Sequence, residues 1–312
     1  MKRYITIDGG TTNTRVSLVE NMQVISSKRI SRGAKAGIDD RDGLKVALKE
    51  TIVTLLNENS LSENDIIKIL ASGMITSEFG LYEVPHVLAP AGIFELHDNM
   101  VEVSFPEICS IPFVFIRGVK KLGGELAKTD IIRGEETELV GIMEDSDGEC
   151  VYILPGSHSK LIKTDNQGRI DEFCTMLTGE MIAALSGNTI LKDAVDLSIS
   201  EYDIESLCFG YSYAKANGLN NSLFKVRILK NIMKKTPIEV YSFFIGAILC
   251  DEIEAIIALN ASKIVIGGRA QIKNATAILL ERFSDKEIVI IDDKKAETAT
   301  SVGMIKVFEF GC

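Results

Sequence analysis

IDGGTTNTRVSLVE, residues 7–20, ends one short apolar run and begins another within a few positions. Between the runs lie Asp8, Gly9, Gly10, Thr11, Thr12, Asn13, Thr14 and Arg15. A plain hairpin needs only Asn-Gly or Gly-Gly in such a place. The surplus of hydrogen-bonding groups points to a ligand. Consecutive backbone N–H groups in a glycine-containing turn form a concave anion site, and Gly9 and Gly10 let that backbone come close to a phosphate. The hydroxyls of Thr11 and Thr12 add donors, and Arg15 can pair with an anion. A carboxylate beside phosphates repels them unless a cation bridges the two, which makes Asp8 a candidate for holding Mg²⁺ through water. A polar hairpin with an incidental Asp fits the same spacing.

Outward from this turn, 4–8, 14–19 and 23–30 read as three strands, followed by a helix over 42–57 with Leu44, Val46, Ala47, Leu48, Ile52, Val53, Leu55 and Leu56 at helical spacing. A strand over 66–71, a short helix over 74–81, a strand over 113–116 and a helix over 133–143 complete the first half of the pattern. The order then repeats. Strands at 151–154, 160–164 and 169–174 surround the turns Pro155-Gly156 and Asn166-Gln167-Gly168. A helical region opens near Thr178, and helices over 238–259, 271–283 and 297–310 alternate with strands at 263–266 and 287–291. Residues 186–236 fit neither copy and read as a helical insertion. Two meanders, each followed by alternating helices and strands, predict two similar α/β domains, 1–143 and 144–312, facing one another across a cleft. A hinge is expected near 130–147, and the last helix is a candidate to return to the N-terminal domain.

With 312 residues the chain exceeds what one core usually absorbs. A net charge of −10 and a pI near 5.0 argue against nucleic acid as a partner. Six cysteines without C-x-x-C spacing read as reduced thiols in a cytoplasmic protein, not as a zinc site. No signal peptide and no membrane span is expected. The composition leaves oligomeric state open.

Four further stretches carry possible chemistry. LPGSHSKLIKTD (154–165) makes a second tight strand connection, in which Gly156, Ser157, His158 and Lys160 could reach a phosphate. IVIGGRA (264–270) is a strand-to-helix turn whose Gly267 and Gly268 suit close packing of a ring or ribose, although a simple βα turn has the same pattern. IIRGEETELVGI (131–142) offers Glu135, Glu136 and Glu138 as carboxylates near a reacting hydroxyl; helical spacing does not decide between them, and an acidic first turn serves the helix dipole equally. In CTMLTGEMIAAL (174–185) a capping box from Thr178 fails at Met181, and Glu180 could touch a sugar hydroxyl. His86 and His97 read as packing residues. Neither G-x-G-x-x-G nor a P-loop signature is present, and GVKKLGGE (118–125) misses the latter at its lysine. EDSDGE (144–149) reads as a solvated turn.

Together, the paired meanders, the Asp-Gly-Gly-Thr-Thr turn and the late Gly-Gly turn resemble the actin, hexokinase and Hsp70 superfamily, with two ribonuclease H-like domains. IDGGTTNTR, GMITSEFG (73–80), RGEETELVG, LPGSHSK and TMLTGE occur in the order of motifs of the 2-dehydro-3-deoxygalactonokinase family, over nearly the whole chain. The resemblance implies ATP-dependent phosphorylation of 2-dehydro-3-deoxy-D-galactonate at its terminal hydroxyl, with ATP and Mg²⁺ as cofactors and a small sugar acid as partner. It implies phosphate sites at Asp8–Asn13 and Gly156–Lys160, and an adenosine side at Gly267-Gly268. Related sugar kinases place an aspartate as base in an Asn-Asp pair before the crossing helix, or after Gly-x-His. Gly134-Glu135 and Ser159 occupy those places here. The base role passes to Glu135, with Glu136 in reserve, and Arg133 is the expected partner of the substrate carboxylate, beside Thr178 and Glu180. A kinase for another sugar acid and a nucleotide-sensing regulator are the alternatives.

Overall fold

The computed structural model describes residues 1–33, 41–144, 148–268 and 272–311. They form two compact units, the first made of Met1–Gly148, Asp165–Glu172 and the residues from Lys294 onward, the second of Glu149–Thr164 and Phe173–Asp293.

In the first unit β1 (Arg3–Gly9), β2 (Thr14–Glu20) and β3 (Gln23–Ile30) form an antiparallel meander. Asn21 and Met22, at φ of 48° and 67°, make the β2–β3 connection; left-handed residues let a two-residue turn follow the strand twist. α1 (Arg41–Glu58) buries Leu48, Ile52, Leu55 and Leu56 against Ile5, Ile7, Val16 and Leu18. β4 (Lys68–Gly73) then runs parallel to β1. β5 (Val87–Leu88), α2 (Ile93–Asp98), β6 (Val101–Val103) and β7 (Phe113–Phe115) follow, giving a six-stranded sheet in the order β3-β2-β1-β4-β7-β6. β8 (Val119–Lys121) and β9 (Asp130–Ile132) join β5 in a small second sheet, and α3 (Glu135–Ile142) comes next.

The second unit repeats the scheme. β10 (Val151–Leu154), β11 (Ser159–Thr164) and β12 (Ile170–Met176) are its meander. α4 (Thr178–Asn188), α5 (Ile204–Asn217), α6 (Leu219–Asn231) and α7 (Pro237–Ala258) lead to β13 (Lys263–Ile266), α8 (Ile272–Phe283) and β14 (Glu287–Ile290). The order β12-β11-β10-β13-β14 matches β3-β2-β1-β4-β7 strand for strand, again with parallel pairing after the meander. α7 begins with Pro237 behind a Thr236–Glu239 capping box. Phe243, Phe244, Leu249, Ile253 and Ile256 make it the centre of that unit's core.

α9 (Asp293–Phe308) packs on the face of β1 opposite the Ile5/Ile7 side. Thr6 and Ser301 share a buried 2.8 Å hydrogen bond, and Tyr4 meets Phe308 edge-on with ring centroids 5.7 Å apart. α9 also lies against α3 with backbones touching: a Cβ on Gly141 would overlap the Ala299 carbonyl, and one on Gly303 the Thr137 carbonyl. Only glycine permits that approach.

The helix expected over 74–81 is one 3₁₀ turn, Met74–Thr76, because the Ile75 carbonyl accepts the amides of Leu81 and Tyr82 and folds the segment back. The last helix starts four residues earlier than Glu297. β5, α2, β6, β8 and β9 were not anticipated; at two to six residues they are too short to show a period. Gln271, the expected first residue of a helix, together with Arg269, Ala270, the middle of EDSDGE and Cys312, lies outside the described residues. Among the described residues no helix is long and apolar enough to cross a membrane.

Candidate functional site

Alternation along β1 puts Tyr4, Thr6 and Asp8 on one face. The first two pack on α9, while Asp8 lines an open depression of ≈ 220 Å³ with Gly10, Thr12, Asn13, Arg15 and Arg29. Register explains the gathering. Ser72 on β4, Asp8 on β1, Arg15 on β2 and Arg29 on β3 stand side by side across four strands. Two guanidiniums thus stand adjacent at the mouth of a polar turn, and Arg15 also donates to the Glu297 carbonyl at 3.2 Å. The turn is tight: Gly10 N–H donates to the Asn13 carbonyl at 2.8 Å, and Gly33 packs on it so closely that a Cβ would stand 2.5 Å from the Gly10 oxygen. Among the described residues the Thr11 and Thr12 amides meet no protein acceptor, which leaves them available to an anion. Arg29 and Ser72 escaped the sequence reading; the register shift at Leu18/Val19 hides the alignment of Arg15 with Arg29.

A second line of contacts brings α3 to this turn. Gly9 pairs with Gly73 across β1 and β4. Gly73 has φ +81°, and a Cβ there would overlap the Gly9 carbonyl oxygen. Gly134, with φ +109°, caps α3 and would place a Cβ 3.1 Å from the Gly73 Cα. Three glycines thus allow the phosphate-type turn, the end of β4 and the start of α3 to touch backbone to backbone.

The two glutamates that open α3 then differ sharply. Glu136 is 0% exposed, accepts the Gly134 amide with both oxygens at 2.9 and 2.7 Å, and receives the Ser72 hydroxyl at 3.1 Å. Burial first, then the charge of Glu135, push its carboxyl up to about 7. That value would suit a general base, but geometry takes precedence, and both oxygens are turned into the protein. Glu136, the reserve expectation for the base, is here occupied by the Gly134 amide and the Ser72 hydroxyl at the start of α3. Glu135 is half-buried, and its carboxylate accepts the Arg133 amide at 2.9 Å.

Arg133, expected to meet a substrate carboxylate, is engaged within its own unit. Four of its five N–H directions are occupied, by the Thr76 carbonyl and hydroxyl, by the Val84 carbonyl at 3.3 Å and by His86 Nδ1 at 3.2 Å. It braces residues 76–86. His86, read as packing, is its partner. Burial and then the Arg133 charge hold the imidazole down at about 4 and so neutral at pH 7, which suits acceptance from a guanidinium. His97 bonds the Val307 carbonyl at 2.8 Å, a packing role as expected.

In the second unit three stretches converge at the ends of β10 and β13. Gly267 N–H donates to the Ile153 carbonyl at 2.8 Å, and Gly268, at φ +70°, would place a Cβ 2.9 Å from the Pro155 oxygen. The Gly-Gly turn therefore rests on the start of PGSHSK. On its other side the TGE turn packs so tightly that a Cβ on Gly179 would overlap the Gly156 carbonyl. Glu180 N–H donates to the Ser157 carbonyl at 3.1 Å, and its carboxylate meets His158 Nε2 at 3.2 Å. Ser157 is exposed, and His158 and Gly156 are half-exposed. Lys160 is buried, with Nζ on the His158 carbonyl at 3.2 Å, so it supports the loop from within.

Thr178 departs from its expected role. Its hydroxyl is buried and donates to Glu252 of α7, while Leu177 caps α4 without a side-chain bond. In this structure it faces the core. Glu252, in an apolar helix 74 residues further on, carried no local sequence signal.

Comparison with known proteins agrees with this architecture. The 2-dehydro-3-deoxygalactonokinase of Escherichia coli (strain K12) is 25% identical over 252 residues, 79% of this chain and 77% of that protein. A Sinorhizobium meliloti crystal structure provisionally given the same name superposes with a TM-score of 0.78 at 20% identity, over 98% of this chain and 99% of that one. The activator of 2-hydroxyisocaproyl-CoA dehydratase from Clostridium difficile, solved with bound ADPNP, has a TM-score of 0.51 at 12% identity, covering 98% and 95%. These likenesses show the two-domain ribonuclease H-like fold. Residues 8–307 match the family described as 2-keto-3-deoxy-galactonokinase, and to that family this chain belongs.

Proposed function

We propose that the protein transfers the terminal phosphoryl group of ATP to the terminal hydroxyl of 2-dehydro-3-deoxy-D-galactonate, with Glu135 as the group that receives or orients the hydroxyl proton. The contact line Gly9–Gly73–Gly134 supports this reading, since it brings the start of α3 to the end of β1 within one unit. Of the two adjacent glutamates, Glu135 alone keeps an accessible side chain. Thr11, Thr12 and Asn13 supply donors for phosphate oxygens, and Arg15 and Arg29 supply charge. In the second unit Gly156, Ser157 and His158 would serve phosphate, Gly267 and Gly268 the nucleoside, and Glu180 a substrate hydroxyl.

The residues also fit Mg²⁺. Among the described residues no group of three His, Cys, Asp or Glu side chains forms a metal cage. Mg²⁺ in phosphoryl-transfer sites commonly takes one or two carboxylates, water and phosphate oxygens. Asp8 would hold it, and the ion would neutralise charge on the transferring group.

The test is release of ADP over a panel of sugar acids, with wild-type protein and Glu135→Gln. Acceptor-stimulated ADP release greatest with 2-dehydro-3-deoxy-D-galactonate is expected. The variant should retain ATP binding while turnover falls by about 100-fold or more, the low end for loss of a general base. Near-normal turnover would remove Glu135 from the role. Absence of any acceptor-stimulated release would favour a nucleotide sensor.

A further inference from the structure

Glu252 sits in the most apolar helix of the second unit and is 1% exposed. A carboxylate there is costly unless hydrogen bonds repay its desolvation, and an apolar side chain of similar size would fill the same volume at less cost. Its Oε2 accepts the Thr178 hydroxyl. The buried Ser159 hydroxyl lies alongside and favours the ionised form, opposing the upward push of burial. Oε1 and Ser159 Oγ nevertheless lack a partner in good hydrogen-bond geometry among the described residues.

The two hydroxyls belong to different loops. Ser159 lies in PGSHSK and Thr178 opens TGE, the stretches that present His158 and Glu180. Those loops already touch through the Glu180 amide and Ser157 carbonyl, through the His158–Glu180 pair and through Gly179 on Gly156. Glu252, reaching from α7 to the Thr178 hydroxyl, adds a fastening from beneath.

We propose that Glu252 is a positioning residue that ties the 178–180 loop to α7 and, through that loop's contacts with residues 156–158, fixes His158 and Glu180 relative to each other. The proposal rests on reading these loops as ligand-binding ones. Glutamine at 252 keeps one oxygen acceptor but offers an amide N–H₂ to the second hydroxyl, whereas methionine keeps the volume and offers neither.

Glu252→Gln, Glu252→Met, Thr178→Val and Thr178→Val/Glu252→Met test this, with steady-state kinetics in ATP and sugar acid at a temperature where each variant is folded by circular dichroism. Glu252→Met is expected to lower kcat/KM for the sugar acid at least about tenfold, Thr178→Val by a similar factor, and the double variant no further than the worse single one, as for residues acting as a unit. Glu252→Gln should recover part of the loss. Reduced melting temperature with unchanged kcat and KM would overturn the proposal, as would independent, multiplying losses in the double variant. Hydrogen exchange separates this from the activity reading. Amides 156–158 and 179–180 should exchange at least about tenfold faster in Glu252→Met, or in Thr178→Val if the methionine variant does not fold. Unchanged protection overturns the proposal even if no sugar acid proves to be a substrate.

Discussion

Gly73→Ala tests the contact on which the first unit's site depends. At φ +81° and ψ −155° an alanine is in a region essentially reserved for glycine, costing about 1–3 kcal/mol. Its Cβ would overlap the Gly9 carbonyl oxygen and stand 3.3 and 3.4 Å from the Gly9 carbonyl carbon and amide nitrogen. No side-chain rotation relieves a backbone clash, so β1 and β4 must part, adding about 1–3 kcal/mol as in overpacked cores. The expected loss is about 2–6 kcal/mol in urea unfolding. Separation of roughly 1 Å beside Asp8 should also cost turnover of order 100-fold, the sensitivity of a preorganised site to that displacement. Gly124→Ala is the control. Gly124 has φ +73°, and a Cβ there would meet nothing within 4 Å, so it carries the conformational penalty alone. Its loss should be about 1–2 kcal/mol with kinetics unchanged. If Gly73→Ala matches Gly124→Ala in stability and remains fully active per folded molecule, the three-glycine contact does not organise the site.

Glu136 should make stability pH-dependent. Its carboxyl, raised from 4.5 to about 7, binds a proton more tightly in the folded than in the unfolded protein. The contribution is therefore full below about pH 4.5 and is lost as pH rises to about 7, amounting to about 3 kcal/mol. Urea unfolding from pH 5 to 8 should show wild type losing stability relative to Glu136→Gln over that window; parallel profiles would refute the assignment. Asp8→Asn should raise the Mg²⁺ concentration for half-maximal turnover by about tenfold or more, the scale of a weakened metal site. An unchanged Mg²⁺ titration would remove Asp8 from the metal site.

Much of the architecture was legible because it is written in local patterns. Alternation and turn residues located both meanders within a residue or two, and β13 at 263–266 was read to the residue. The site was legible as motifs but not as roles. Glu135 and Glu136 are equivalent in composition and spacing; the φ of Gly134 and the hydroxyl of Ser72, 64 residues away, turn one inward. Arg133 looked like an open cation until Thr76, Val84 and His86 were seen around it.

The sequence by itself determined the paired β-meander design, the glycine turns and their order, since strand period and turn chemistry act over a few neighbouring residues. Only the tertiary structure decided which polar side chains face outward. Thr178 and Glu252 meet across 74 residues, and Asp8 joins Ser72 and Arg29 through sheet register. Those pairings are set by long-range packing, where burying one polar group obliges another to turn toward it.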